Sequence, residues 1–217
     1  MAKPTFRELP FQERPDLTPF LIHLTKNTKE KDGCSAYDNL VNILKSGQIS
    51  GSSGRGFIKG GLRAACFMDV PLLSLKYILN HENADPDHPR YEPFGILVDK
   101  LTAYKQDCRP VLYLSDDEQN TLDIPKPELW RVVNFELSDE GCISWVHERE
   151  WRRQGDYVLP KIPQKFLAVL VKDTTHAMKL AELLAEKPGD FKALPMSIIP
   201  LSIVCQGLNY LKAKKAK

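Results

Sequence analysis

The amino-acid sequence predicts an α+β domain in which a largely antiparallel sheet carries helices on its faces, and three observations lead there. Apolar runs of strand length recur along the chain, at residues 19–25, 64–68, 94–99, 110–114, 129–137 and 166–172. Only a few amphipathic helical patterns stand between them, without the regular alternation that a doubly wound parallel sheet requires. No internal repeat or low-complexity linker divides the 217 residues, a length that suits one domain with its own core.

Taken in order, residues 1–18 are rich in proline and charge and read as an N-terminal arm. Pro19-Phe-Leu-Ile-His-Leu-Thr25 has the apolar density of a buried strand, with His23 as its one ionisable side chain. Tyr37, Leu40, Val41 and Leu44 then share one helical face, and Gly47 offers a stop. Segment 46–65 gathers six of the twelve glycines with Arg55, Lys59 and Arg63 and no acid, so it reads as a mobile or ligand-shaped loop. The strand at 64–68 follows, Asp69 and Pro71 break it, and 72–80 has helical spacing. After the next four strands, 175–186 is an amphipathic helix that Pro188-Gly189 ends, and 197–203 adds a last strand. The single α+β domain accordingly spans 19–210, with 211–217 as a basic tail.

Composition excludes several classes. With 42% hydrophobic and 27% charged residues the chain is neither disordered nor fibrous. No apolar run has the length to cross a bilayer, and Lys3, Arg7 and Glu8 interrupt the start where a secretory leader would be apolar, so a cytoplasmic protein without a membrane partner is expected. Five scattered cysteines with no C-x-x-C pair suit reduced thiols rather than structural zinc. The formal charge of +2 conceals eight acids in 116–140 and four lysines in 201–217. A short basic tail of this kind is solvated or touches phosphates.

Four features carry possible chemistry. His23 and Thr25 lie two apart, so a strand presents them on one face, as ligand-binding groups or as a satisfied core histidine and its neighbour. The glycine-rich segment matches neither G-x-G-x-x-G nor G-x-x-x-x-G-K-[ST], yet its amides and cations suit an anion such as a pyrophosphate; a plain exposed loop is the alternative. The stretch from Trp145 to Arg153 packs two acids, three arginines, a histidine and two tryptophans into nine residues. If extended, it places Glu148, Glu150 and Arg152 on one face and His147, Arg149, Trp151 and Arg153 on the other. A ladder of surface ion pairs explains the charges but not the tryptophans. Finally, Asp69 with Asp99-Lys100 faintly resembles the carboxylates and lysine of metal-dependent nucleases, although the D-x-K spacing is absent.

In chain order the sequence contains His23-Leu-Thr25, Asn39-Leu-x-x-Ile-Leu-x-x-Gly47, Cys66-Phe-Met-Asp-Val-Pro71, Phe94-Gly-Ile96, Pro110-Val-Leu-Tyr113 and His147-Glu-Arg-Glu-Trp-Arg152. This set resembles the abortive-infection proteins of the AbiGi type found in bacterial phage defence. More distantly it is similar to the DarT-like branch of ADP-ribosyltransferase folds. The resemblance spans roughly residues 20–172, and Glu-Arg-Glu-Trp-Arg is its most specific part.

The resemblance implies a split, mostly antiparallel sheet with flanking helices and NAD as substrate, without a metal. It implies His23 and Thr25 on the adenosine side, Arg63 or in its stead Arg55 on the pyrophosphate, and Glu150 as the catalytic glutamate. A carboxylate is suited to that role, because cleaving the nicotinamide glycosidic bond develops oxocarbenium character on the ribose. Trp151 or Tyr77 would supply an aromatic wall for the nicotinamide. The acceptor would be a DNA or RNA base, a protein side chain or water, and an antitoxin or other defence partner would restrain the activity. Phe67-Met-Asp-Val-Pro71 departs from the aromatic and proline-rich block of DarT-like enzymes at the acceptor pocket. A non-catalytic sensor, binding or antitoxin module on the same fold is the alternative function, and a metal-dependent nuclease the third.

Overall fold

Leu21 and Ile22 are buried because β1 (Phe20–Leu24) runs through the middle of a seven-stranded sheet. The computed structural model describes residues 14–28, 33–52, 58–79, 91–138 and 141–205. After β1 come α1 (Ala36–Ser46), β2 (Gln48–Ile49), β3 (Ala64–Met68), α2 (Leu75–Ile78), β4 (Gly95–Asp99), α3 (Lys100–Lys105), β5 (Arg109–Pro110) and β6 (Leu112–Leu114). The chain continues through α4 (Asp116–Thr121), β7 (Val132–Asn134), β8 (Glu136–Ser138), β9 (Gly141–Ile143), β10 (Glu150–Gln154), β11 (Tyr157–Val158) and β12 (Leu167–Val171). It closes with α5 (Thr174–Glu186), β13 (Ser197–Pro200) and α6 (Leu201–Val204). Residues 1–13 of the expected arm and the tail at 211–217 lie outside the described residues.

The main sheet has the order β13-β12-β4-β1-β3-β10-β5, and every neighbouring pair is antiparallel except β12 with β13. The domain is therefore α+β with a mostly antiparallel sheet. Gly95 lets β4 approach β1: a Cβ there would sit 2.4 Å from the His23 carbonyl oxygen, closer than any side chain tolerates. β1 and β4 share five register pairs and β3 and β10 another five, whereas β1 and β3 share only Ile22 with Met68. The sheet is thus two halves joined at one pair, and beyond Ile22 the strands part.

α1 forms because Ser35 and Asp38 make a reciprocal capping box and Gly47, at φ 72°, closes the other end in the left-handed region. Its apolar stripe of Ala36, Tyr37, Leu40, Val41 and Leu44 packs on one face of the sheet with Leu21, Phe67, Ile96 and Val169. On the opposite face Ile22, Leu97 and Leu170 meet Leu75, Leu79 and Leu201, the last from α6. No helix of the described residues is long and apolar enough to cross a membrane.

Several expected elements divide. The helical spacing at 72–80 resolves into a 3-10 turn, Leu72–Ser74, and the single-turn α2. The strand expected at 110–114 breaks after Pro110, so that β5 joins the main sheet while β6 pairs with β7 in another. Within 129–137 a 3-10 turn, Lys126–Arg131, precedes β7 and β8. Pro200 ends β13, and the residues that follow turn helical rather than extending the strand to 203.

Candidate functional site

Where β1 and β3 part, a cavity of about 890 Å³ opens between α1 and β2 on one side and β3 and β10 on the other. His23, Thr25, Cys66, Glu148, Glu150 and Arg152 all contribute to its lining. The structure thus brings three of the expected site residues, His23, Thr25 and Glu150, around one space.

His23 fills the gap left by the missing ladder. Its Nδ1 lies 2.8 Å from the Cys66 carbonyl oxygen, in place of the backbone bonds that parted strands cannot make. A carbonyl only accepts, so Nδ1 carries the proton and a neutral ring keeps Nε2 as an acceptor. Desolvation pushes the His23 pKa below its ordinary value, against the pull of the Cys66 carbonyl, which favours that neutral ring. Such a ring accepts from a ligand hydroxyl rather than donating to it. Thr25 is buried, and its hydroxyl lies 2.8 Å from the Ala36 carbonyl and 3.2 Å from that of Phe94. It ties the start of α1 to the residue that leads into β4 and keeps lone pairs for a donor.

Glu150 and Arg152 are two residues apart on β10, hence on one face, and both are almost fully buried. Arg152 Nε donates to Glu150 Oε1 at 2.8 Å and Nη2 to Oε2 at 3.1 Å, a bidentate fork. The third nitrogen, Nη1, donates to the Trp130 carbonyl at 2.7 Å. Burial alone lowers the Arg152 pKa, but the bonds to Glu150 outweigh it and the guanidinium is held charged. Burial, reinforced by the Glu150 charge, pushes the Cys66 thiol well up, so it stays protonated.

The extended reading of the Trp145–Arg153 stretch holds only from residue 150. Val146–Glu148 forms a 3-10 turn, and Arg149 adopts φ 44°, ψ 54°, a left-handed conformation uncommon outside glycine. This kink delivers Glu148 to the same cavity by a different route, where it accepts a hydrogen bond from the Tyr91 hydroxyl. The Asp69 amide holds the turn from beneath by donating to the Glu148 and Arg149 carbonyls, each at 3.2 Å.

Arg63, Tyr77 and Trp151 are not among the residues that line the cavity. Arg63 Nε donates to the Gly51 carbonyl at 3.1 Å and its Nη2 to Asp156 Oδ1 at 3.0 Å, clasping two loops instead of facing the space. Tyr77 projects into solvent at 73% exposure, with the Lys76 ammonium over its ring. Trp151 falls on the other face of β10, where its Nε1 donates to Asp69 Oδ2. Arg55 lies outside the described residues. Sequence reasoning named Glu148 and Arg152 only as cluster members and missed Cys66, Tyr91 and the polar rim of Asn39, Asn42 and Ser46. The signals present were the Glu148, Glu150, Arg152 spacing and the asparagines at 39 and 42.

Of the nuclease constellation only Asp69 and Lys100 meet. Lys100 Nζ pairs with Asp69 at 2.7 Å, while Asp99 caps α3 by accepting from the Thr102 amide and hydroxyl. Among the described residues no group of three or more His, Cys, Asp or Glu is placed to hold a metal ion.

No protein-family model matches the chain, and no curated protein does. Among solved structures the chain is similar to Thermus sp. 2.9 DarT in complex with NAD+, at 13% sequence identity and a TM-score of 0.46, with 85% of this chain and 96% of that chain covered. A likeness of that degree assigns no family and no ligand.

Proposed function

We propose that the protein is an NAD-consuming ADP-ribosyltransferase of the phage-defence or toxin-antitoxin kind that its motifs resemble, with a nucleic acid as acceptor. The observation that carries the reading is the buried Glu150–Arg152 fork on the lining of a large cavity that His23 and Thr25 also line. A carboxylate forked onto a guanidinium serves as a fixed negative charge rather than a proton donor. That is what the reaction needs: the bond between ribose C1 and the nicotinamide nitrogen breaks, its electron pair neutralises the pyridinium, and the positive charge passes to the ribose before the acceptor bonds to C1 and releases its proton to solvent. His23 Nε2 and the Thr25 oxygen supply acceptors for ribose hydroxyls or the adenine amine. Among the described residues two cations line the cavity: Arg152 is committed to Glu150, and Lys26, exposed at the rim, would be free to meet a pyrophosphate.

The test mixes purified protein with NAD and follows nicotinamide release, with and without DNA, RNA or lysate, beside a thermal melt. NAD at a hundred times its Kd adds about 2.7 kcal/mol of stability without divalent metal. Stabilisation by NAD without turnover under any condition would favour the binding-module alternative. No response to NAD together with a clear response to Mg²⁺ would favour the nuclease.

A further inference from the structure

β10 loses its outer neighbour at the residue where the proposed chemistry sits. β5 contributes only Arg109 and Pro110, opposite Arg152 and Trp151, and the Val111 amide makes one more bond, 3.0 Å to the Glu150 carbonyl. The chain then leaves for β6, and the Glu150 amide has no backbone carbonyl opposite it. Tyr113, on β6, returns its side chain to this point. Its hydroxyl accepts the Glu150 N–H at 3.0 Å and donates to the Trp145 carbonyl at 3.4 Å, and the ring is half-buried. One oxygen therefore joins both ends of the segment 145–150, whose left-handed Arg149 carries Glu148 and Glu150 into the same cavity.

We infer that Tyr113 is a positioning residue, its hydroxyl closing the sheet edge at Glu150 and fixing the turn that aims the two carboxylates. Its effect on rate rests on the reading of Glu150 as catalytic; its effect on the Glu150 backbone does not. Tyr113 does not line the cavity, so its removal leaves the NAD-contacting surface intact.

Tyr113→Phe keeps the ring and deletes the hydroxyl, exposing the Glu150 amide to solvent exchange or leaving it without an acceptor. Amide exchange followed by NMR is expected to speed up at Glu150 by roughly tenfold or more while the β1 and β12 amides hold their rates. In NAD turnover, kcat falls by about tenfold with KM moving less than twofold, and the loss vanishes when Tyr113→Phe is placed in a Glu150→Gln background. Leu112→Ala, on the same short strand, reports what loosening β6 alone does and should leave both readouts unchanged. Unaltered exchange at Glu150 in Tyr113→Phe, or an equal change in Leu112→Ala, overturns the inference. If wild type turns over no NAD, the catalytic reading of Glu150 fails, and the exchange measurement still decides the positioning role.

Discussion

Two ion pairs lie on opposite faces of β10, one buried within the strand and one partly buried between the end of β3 and the start of α3, and they differ in what surrounds them. Glu150 and Arg152 occupy the cavity face, where the guanidinium is bidentate to the carboxylate and also held by a backbone carbonyl. Asp69 and Lys100 occupy the opposite face, joined at 2.7 Å, with the Trp151 indole donating to the second carboxylate oxygen at 3.2 Å. The first pair opens onto about 890 Å³ of space, and neither member of the second lines it. A buried charge is costly wherever it lies. Beside a cavity it is open to whatever enters that space; among packed side chains it acts as a clasp between β3, α3 and β10.

Removing one partner should separate the two roles. Arg152→Ala leaves Glu150 buried without its cation and frees the Trp130 carbonyl, so unfolding in urea should show a loss of about 3–5 kcal/mol. A loss below 1 kcal/mol would mean that solvent already reaches the fork. Glu150→Gln, nearly isosteric, should lower NAD turnover by about 10²–10³, or 3–4 kcal/mol, while NAD still raises the melting temperature. Glu148→Gln, which alters the Tyr91 bond and not the fork, should cost less; equal losses would make the two carboxylates a single structural cluster.

On the other face, Lys100→Ala should cost about 2–3 kcal/mol, less than Arg152→Ala because Asp69 is partly exposed and keeps its bond from Trp151. Its turnover per folded molecule should equal wild type, and a selective fall in kcat would bring the clasp into the chemistry.

A smaller effect concerns His23. Its folded pKa lies below the ordinary imidazole value, so between the two values the unfolded chain binds more protons than the native one. Stability therefore rises with pH across that window and declines as pH falls below about 6.5. His23→Gln, which can donate to Cys66 without titrating, should flatten this slope in melts between pH 5 and 7. An unchanged slope would assign it to other groups. Smallest of all, Arg63→Ala removes a half-exposed pair with Asp156 and should shift stability by about 0.5 kcal/mol and NAD affinity by less than twofold. A tenfold weaker affinity would return Arg63 to the pyrophosphate.

Much of the fold is legible residue by residue, because strands and helices write their periods locally. β3 at Ala64–Met68, α1 around Leu40 and Leu44, and α5 ahead of Pro188 follow from apolar spacing and from stop residues. The pairing of Glu150 with Arg152 is likewise local, since residues two apart on a strand share a face. Period and spacing do not say which strand lies beside which. The single pair joining β1 to β3, and the cavity it opens, depend on the turn chemistry of distant segments and on Gly95 admitting β4 against His23. The same holds for Arg63, whose charge suits a phosphate but whose neighbour in space, Asp156, lies 93 residues away. It holds as well for Trp151, turned from the cavity by the alternation that turns Glu150 towards it. Residue types and spacing determined what chemistry this chain can carry; only tertiary structure decided which charges meet one another and which are left facing the space between the parted strands.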